Sequence, residues 1–427
     1  MKRLKKILKW TGLVLGGLVA ILLLVNAWFV WSTDARLEKQ LEAIRTAGDP
    51  LTLADLARKP IPPEQNAAKY LRRVEVDRAA MEKELKPYWE WADKHDENAL
   101  MPADIQRSVK AVFDAHPRVI PLLQKAAACP EYDEQLDYSV PANSFLGTQL
   151  LPLVRKCKGA ARLLQIESQL LALEGNPSEA VRSALAIFRL ARHFDRNPTI
   201  ISYLVAMAVR GTATDSADMA LQTGPVSHEV RKSLDAELAV QEGMAGYTWA
   251  LKSERAFGLD SFRTLPLRNL WFFSRGLWNQ QESAYLDAMD AYVALTYDRG
   301  PYEQTEHIIS RIYARIPVRS GTFAQLVFPA MKATHEAVIR TRAQIRCLRV
   351  LNAIQVRVPA GSKEVPKLSE LGLPAEATTD PFNGEPLHVK RLPQGWLVYS
   401  VGSNLVDDGG KLDDKLSDIG VGPPKRD

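Results

Sequence analysis

The sequence predicts a mainly α-helical protein with an N-terminal transmembrane helix, an irregular antiparallel helical array and a small C-terminal α+β module that contains an antiparallel hairpin. Three observations predict this fold class: an uncharged apolar run near the N-terminus, helical spacing of apolar residues through the middle of the chain, and two alternating apolar segments near its end. The chain divides accordingly into a basic cytoplasmic tail at 1–9, the transmembrane helix at 10–31, a stalk and linker at 32–65, a helical domain at 66–320, and a long helix with a small β-sheet at 321–427.

The run from Trp10 to Trp31 carries no charge and is long enough to cross a bilayer, since about 20 apolar residues in a helix span the ~30 Å hydrocarbon core. Tryptophans at both ends suit the two aromatic belts. Five basic residues precede the run, so the N-terminus is expected in the cytoplasm and the bulk of the chain outside it. A cleavable signal peptide is the alternative, because residues 25–27 resemble a cleavage site. Gly12 and Gly16 form a GxxxG pair, which predicts a weak homodimer through this helix.

Charge and cysteine content exclude several function classes. The net charge of +5 equals the five basic residues before the apolar run, so the rest of the chain is neutral, with 50 basic and 50 acidic residues. A nucleic-acid-binding domain carries a basic face, and this balance therefore predicts no nucleic-acid partner. Cys129, Cys157 and Cys347 form no CxxC motif, which argues against a zinc or dithiol site. A disulfide between two of them stays open, although burial as small apolar residues is favoured for Cys157 and Cys347.

Helical periodicity continues beyond the apolar run. Leu37, Leu41 and Ile44 recur at i, i+4 and i+7, so the helix is predicted to extend to the stop signal at residues 48–50. A proline-rich linker at 59–63 follows, because prolines disfavour helix in the residues before them.

Tight turns separate the helical patterns of the central domain. In the clearest turn, Gly175 ends one helix, Asn176 is the predicted N-cap of the next, Pro177 takes its first position and Glu179 completes a capping-box-like pattern. Such an array offers a concave face to a protein partner. A helical domain that packs only on itself is the alternative.

Residues 247–285 are rich in aromatic side chains. Their irregular spacing favours a place in the core. The alternative is the membrane interface, for which 270–273, flanked by arginines, is the candidate.

A search for catalytic motifs finds none. HExxH, GxSxG, phosphate-loop and GxGxxG patterns are missing, and His335-Glu336 lacks a second histidine one turn on. Acid pairs such as Asp287 and Asp290 leave open an envelope hydrolase that uses helix-borne carboxylates, but on helices such pairs are usually solvated.

Four arginines interrupt the apolar pattern of the long helix that begins near residue 322. We interpret them as the solvent-facing side of an amphipathic helix: Arg340, Arg342, Arg346 and Arg349.

The last hundred residues carry the most informative pattern. A long helix over about 322–356 leads to the turn sequence Asp380-Pro-Phe-Asn-Gly384, and the segments 387–391 and 396–401 alternate as a hairpin. Residues 399–402 then enter a loop rich in glycine and aspartate. Together these features resemble the C-terminal module of the type II secretion major pseudopilin, in which 399–402 would be the last strand. The chain lacks the prepilin processing site of that family, so assembly into a pilus shaft is not expected.

The acidic loop suggests a cation. Calcium prefers six to eight oxygen ligands from carboxylates and carbonyls, which such a loop can supply. The pseudopilin resemblance implies calcium here, with Asp408 and Asp418 as the best candidate ligands and Asn404 and Asp407 as further ones. An acidic loop without an ion is the alternative.

The whole chain also resembles large membrane-anchored bacterial proteins that join an anchor, the segment 48–55, a helical domain and this same tail. That resemblance implies an architecture and names no activity. The predicted function is a non-enzymatic, single-pass protein of the bacterial inner membrane that acts as a scaffold for a protein partner in the envelope. The alternative remains the carboxylate hydrolase.

Overall fold

The computed structural model describes residues 2–95, 99–264, 274–298, 300–315, 322–358, 364–412 and 417–423. Over these ranges the protein is mainly helical and carries a small three-stranded antiparallel sheet. The predicted class, mainly α with an N-terminal apolar helix and a C-terminal hairpin, is confirmed at this level.

Helix α1 (Lys2–Thr46) is continuous over 45 residues. At 1.5 Å per residue it is about 68 Å long, more than twice the hydrocarbon thickness of a bilayer. Its apolar part is exposed and passes the length and composition test for a membrane span, a test that a signal sequence near the N-terminus also passes. The helix ends before Gly48, whose φ of +71° suits glycine. The predicted extension through Leu37 and Ile44 is therefore confirmed.

The helical body follows a short 3₁₀ turn at Ala54–Leu56. Its helices are α2 (Ala67–Glu84), α3 (Lys86–Ala92), α4 (Ala103–Ala115), α5 (Val119–Ala128), α6 (Ala142–Phe145), α7 (Leu151–Leu173), α8 (Pro177–Phe194), α9 (Thr199–Thr223), α10 (His228–Gln241), α11 (Ala245–Thr264), α12 (Arg275–Leu295) and α13 (Tyr302–Arg315). Helices α7, α8 and α9 pack against one another at the centre. The antiparallel order of the whole array stays a prediction.

The turn between α7 and α8 lies where the sequence predicts it. Gly175 has a φ of +81°, Asn176 is the N-cap of α8 and Pro177 is its first residue. The predicted capping pattern is wrong in one respect, because the Asn176 side chain makes no cap hydrogen bond. Its backbone, at φ −111° and ψ 57°, is outside the extended region in which N-cap side chains usually reach the helix. Glu179 instead pairs with Arg182.

The C-terminal part consists of α14 (Thr322–Arg357), the single turn α15 (Ala375–Thr378) and strands β1 (His388–Leu392), β2 (Gly395–Ser400) and β3 (Ile419–Val421), in the order β1-β2-β3. The predicted hairpin is confirmed, with Val389 opposite Val398. The place of the last strand is wrong, because residues 399–400 still belong to β2. The strand that follows the acidic loop is β3, in which Gly420 lies opposite Tyr399. A three-residue strand is too short for alternation to reveal it.

One hydrophobic cluster joins the tail to the helical body. It contains Leu164 and Ile187 of α7 and α8 together with Leu351 of α14 and Val398 of β2. The proposed division at 320/321 stays a prediction and falls on residues outside the described ranges. Across it the apolar core is continuous.

The sequence places the aromatic residues of 247–285 and two of the cysteines in the core, and their burial in the structure tests this. Tyr247, Phe262 and Tyr285 are buried in a second cluster with Leu37 and Ile44, which confirms the core interpretation for them. Residues 270–273 lie outside the described part of the chain. Cys157 and Cys347 are buried, and the three cysteines, all described, are free thiols.

Candidate binding sites

The Asp380-Pro-Phe-Asn-Gly384 sequence forms a turn that is fastened to the sheet. The carboxylate of Asp380, 1% exposed, accepts hydrogen bonds from the backbone N–H of Phe382 at 2.9 Å and of Val401 at 2.9 Å, and from the hydroxyl of Ser400 at 2.8 Å. Gly384, with a φ of +81°, donates its N–H to the carbonyl of Asp380. Asp380 is therefore a structural residue that joins the turn to the end of β2.

The acidic loop links three of the four predicted ligands, Asn404, Asp408 and Asp418, through its own hydrogen bonds. Asp418, 2% exposed, accepts from the N–H of Gly410 at 2.6 Å and of Asp408 at 3.3 Å. The amide of Asn404 donates to the Asp408 carboxylate at 2.9 Å. Asp418 thus closes the loop. Its carboxylate accepts from two N–H groups that would otherwise bond to water.

Asp407 faces a different set of partners. Its carboxylate accepts from the N–H of Gly409 at 2.8 Å and from the hydroxyl of Tyr399 at 3.0 Å, and it lies 3.7 Å from the His388 ring. The Gly409 hydrogen bond is the largest contribution that lowers the pKa of Asp407, with Tyr399, His388 and Lys390 adding to it. Asp407 is therefore stabilised as an anion first by the loop N–H of Gly409 and then by side chains of β1 and β2.

Within the described ranges, no group of three or more His, Cys, Asp or Glu side chains is arranged to hold a metal ion. Asp413 and Asp414, which belong to the same acidic loop, lie outside those ranges. Calcium at Asp408 and Asp418 therefore stays a prediction.

Calcium binding is expected to raise the melting temperature of the full-length chain in non-ionic detergent by several degrees in millimolar calcium relative to chelator. A ligand that binds only the folded form stabilises it by RT ln(1 + [L]/Kd), about 2.7 kcal/mol at a hundredfold excess. Asp418→Ala should abolish the difference between the two buffers, whereas Asp298→Ala, far along the chain from the loop, should keep it. Equal melting of the wild type in both buffers would show that the loop is acidic without an ion.

Two of the four arginines of α14, Arg346 and Arg349, do not face solvent, so the interpretation is wrong for them. Arg346 and Arg349 are each 6% exposed. Glu242, directly after α10, accepts from Arg346 Nε at 3.0 Å and from Arg349 Nη1 at 2.6 Å. Arg349 Nε also donates to Asp235 at 2.9 Å. Arg346 and Arg349 thus form an ion-pair seam that holds the tail against the helical body.

The acids of the hydrolase alternative are also engaged. Asp287 accepts from Arg36 at 2.6 Å, and Asp290 accepts from Arg255 at 2.5 Å. These pairs fasten α1 and α11 to α12, which gives the two aspartates a structural role. His335 is buried, and burial, followed by the charge of Arg342, lowers its pKa to about 4, so it is neutral at pH 7.

A site that the sequence did not reveal lies between the start of the body, the C-terminal end of α8, the middle of α9 and the N-terminal end of α11. We call it the arginine cleft. Its volume is about 490 Å³, and its principal lining side chains are Arg58, Arg192, His193, Arg196, Arg210 and Trp249.

Arg210 forms the floor of the arginine cleft. It is 5% exposed and makes a two-pronged ion pair with Asp195, while its Nε donates to Gln241 at 2.7 Å. Burial alone would lower the pKa of Arg210, but the Asp195 carboxylate outweighs burial and raises it. A Cβ on Gly246 would lie 2.8 Å from Asp195 Oδ2, so glycine at this position leaves room for the pair.

The rim of the cleft carries three more cations. Arg196 pairs with Glu131, and Arg192 pairs with Glu237 at 2.9 Å. Arg58 donates to the backbone carbonyl of Arg196 at 2.7 Å. Burial first, and then the charge of Arg58, lower the pKa of Arg196, which indicates that the two guanidinium groups repel each other.

Two buried nitrogen atoms belong to lining residues and have no hydrogen-bond partner among the described residues. They are Nε2 of His193, a residue 6% exposed, and Nε1 of Trp249. Burial, followed by the charge of Arg192, lowers the pKa of His193 to about 4. The ring is therefore neutral at pH 7, and one of its nitrogens carries a proton.

Comparison of the chain with protein-family models, with curated proteins and with solved structures finds no match in any of the three.

Proposed function

We propose that the protein is a non-enzymatic, single-pass scaffold of the bacterial inner membrane, whose body lies outside the cytoplasm and binds a protein partner of the envelope. The proposal rests on the docking of α1 on α12, which joins the helix that carries the apolar run to the helical body. The resemblance of the tail to a pseudopilin module adds that the partner belongs to a secretion or envelope assembly.

The docking begins where the apolar run ends. Gly276 approaches α1 so closely that a Cβ there would lie 2.5 Å from the ring of Phe29. Asp34 accepts from Asn279 at 2.6 Å and pairs with Arg275 at 2.9 Å. About one and three turns further on, Leu37 and Ile44 are buried. A body held by such contacts keeps a constant orientation to the membrane, as a scaffold requires.

The exposed basic side of α7 supplies a surface for an acidic partner. Arg155, Lys158 and Arg162 are exposed at i, i+3 and i+7 and line a depression of about 550 Å³ beside Trp89. Arg162 lies over the Trp89 ring at 5.6 Å. The nearby Glu75 and Glu82 share one cation, Arg78 (Arg78–Glu75 2.8 Å), which leaves one negative charge against the three exposed cations, so this side of α7 stays positive.

Charge reversal on α7 tests this surface. In pull-downs from gently solubilised membranes, the double substitution Arg155→Glu and Arg162→Glu should reduce recovery of the partner, because like charges then face each other. Lys367→Glu, at a side chain that is 80% exposed on the tail, is the matched control and should leave recovery unchanged. Failure of the wild type to recover any stoichiometric partner would count against the scaffold function.

Topology offers a separate prediction. The basic residues precede the apolar run, so a reporter that is active only outside the cytoplasm should be active when fused after Asp34. Protease added to spheroplasts should digest the region 33–427. Protection of that region would overturn the orientation.

Self-association through α1 is a further part of the proposal. Gly12 and Gly16 lie one turn apart, and a Cβ on either would meet no atom within 4 Å. That open surface is compatible with a weak homodimer of the GxxxG type.

A further inference from the structure

The arginine cleft has an excess of positive charge. Its lining contains four arginines and one carboxylate, Asp195. Counting also Glu131 and Glu237, which pair with Arg196 and Arg192 from outside the lining, three carboxylates face four guanidinium groups. Arg58 pairs with no carboxylate among the described residues, and its side chain is exposed.

The cations are held in place before any ligand arrives. Asp195 and Gln241 orient Arg210, and the backbone carbonyl of Arg196 orients Arg58. Arg58 also lies over the ring of Trp249 at 5.6 Å, an arrangement that stabilises a cation on an aromatic face. Preordered donors bind more tightly because less side-chain entropy is lost on binding.

Two uncharged side chains, His193 and Trp249, also line the site. His193 is 6% exposed, and its Nε2, like Nε1 of Trp249, has no partner among the described residues. Buried polar nitrogens in proteins normally have a hydrogen-bond partner. The indole N–H of Trp249 is a donor, whereas the neutral His193 ring donates its one N–H to backbone carbonyls of 126–129 and leaves Nε2 as an acceptor for water.

We propose that the arginine cleft is a binding site for a small organic anion that carries a phosphate or carboxylate group. Arginine matches both groups, because its planar fork of N–H donors makes paired, charge-assisted hydrogen bonds to two oxygens. The volume of about 490 Å³ is in the range of small-molecule sites and exceeds what a single inorganic ion needs. An oxyanion between Arg58 and Arg196 also offsets the repulsion of their guanidinium groups. This site is independent of the partner surface on α7.

Titration calorimetry of the full-length chain in non-ionic detergent tests the proposal, with inorganic phosphate and citrate as probes and chloride at matched ionic strength as the reference. Saturable heat with phosphate alone assigns a phosphate ligand, and saturable heat with citrate assigns a carboxylate ligand. Equal heats with chloride would show that the signal comes from ionic screening and would overturn the proposal. Absence of saturable heat with both probes would overturn it as well.

Variants locate the binding within the cleft. Arg58→Gln should weaken the bound probe about tenfold or more, the loss expected for a hydrogen bond to a charged group. Arg58→Lys keeps the charge, loses the fork and should fall between the wild type and Arg58→Gln. Arg118→Gln, an exposed arginine outside the cleft, is the matched control. Equal affinity of the wild type and Arg58→Gln would exclude the cleft. Because purified protein is used, this result stands whether or not a protein partner is found.

Discussion

Replacing Glu242 by alanine is expected to lower the free energy of unfolding by about 3–5 kcal/mol, the cost of removing one partner of a buried ion pair. Glu242 binds both Arg346 and Arg349, whose side chains are each 7% exposed. Without it, Arg346 retains the carbonyl of Thr379 and Arg349 retains Asp235, but neither regains the hydration of an exposed cation. Urea unfolding of the full-length chain, followed by tryptophan fluorescence, measures the loss.

Asp235→Ala is the matched control for Glu242→Ala. Among the described residues Asp235 pairs with Arg349 alone, and its side chain is 38% exposed, so about 1 kcal/mol or less should be lost. A loss from Glu242→Ala as small as that from Asp235→Ala would mean that the seam between α10 and α14 contributes no more than a surface pair.

Replacing Asp380 by alanine should have a similarly large effect, at least about 3 kcal/mol. The substitution leaves the N–H groups of Phe382 and Val401 and the hydroxyl of Ser400 without their acceptor in a buried place, and each unsatisfied group costs about 1–3 kcal/mol. Hydrogen exchange at the amide of Val401 should become faster, since its bond to Asp380 no longer protects it.

Asp407→Ala distinguishes this role from a general effect of removing carboxylates near the sheet. The Asp407 side chain is 45% exposed and its backbone partner, Gly409, belongs to the loop itself, so water replaces the lost bonds. Its effect on the Val401 amide should be small. Similar exchange rates in Asp380→Ala and Asp407→Ala would contradict the assignment of Asp380 as the residue that joins the turn to β2.

The features that the sequence alone determined depend on neighbours along the chain. The uncharged run that forms the apolar part of α1, the stop near Gly48, the turn at Gly175–Pro177 and the hairpin of β1 and β2 all follow from local conformational preference and from the spacing of apolar residues. Such signals need no knowledge of what packs against the element. The Asp380-Pro-Phe-Asn-Gly384 turn was recognisable for the same reason.

Only the tertiary structure decided the surroundings of the charged residues. Helical spacing places Arg346 and Arg349 on one side of α14 but does not distinguish water from a carboxylate on α10, because both satisfy a guanidinium group. The arginine cleft shows the same limit more clearly. Arg58 lies well over a hundred residues before Arg210 and Trp249 in the sequence, and the three side chains meet only when the helices pack. Periodicity records which residues share a side of one helix. It carries no information about which helices meet, and both the ion-pair seam and the arginine cleft are formed between helices that meet.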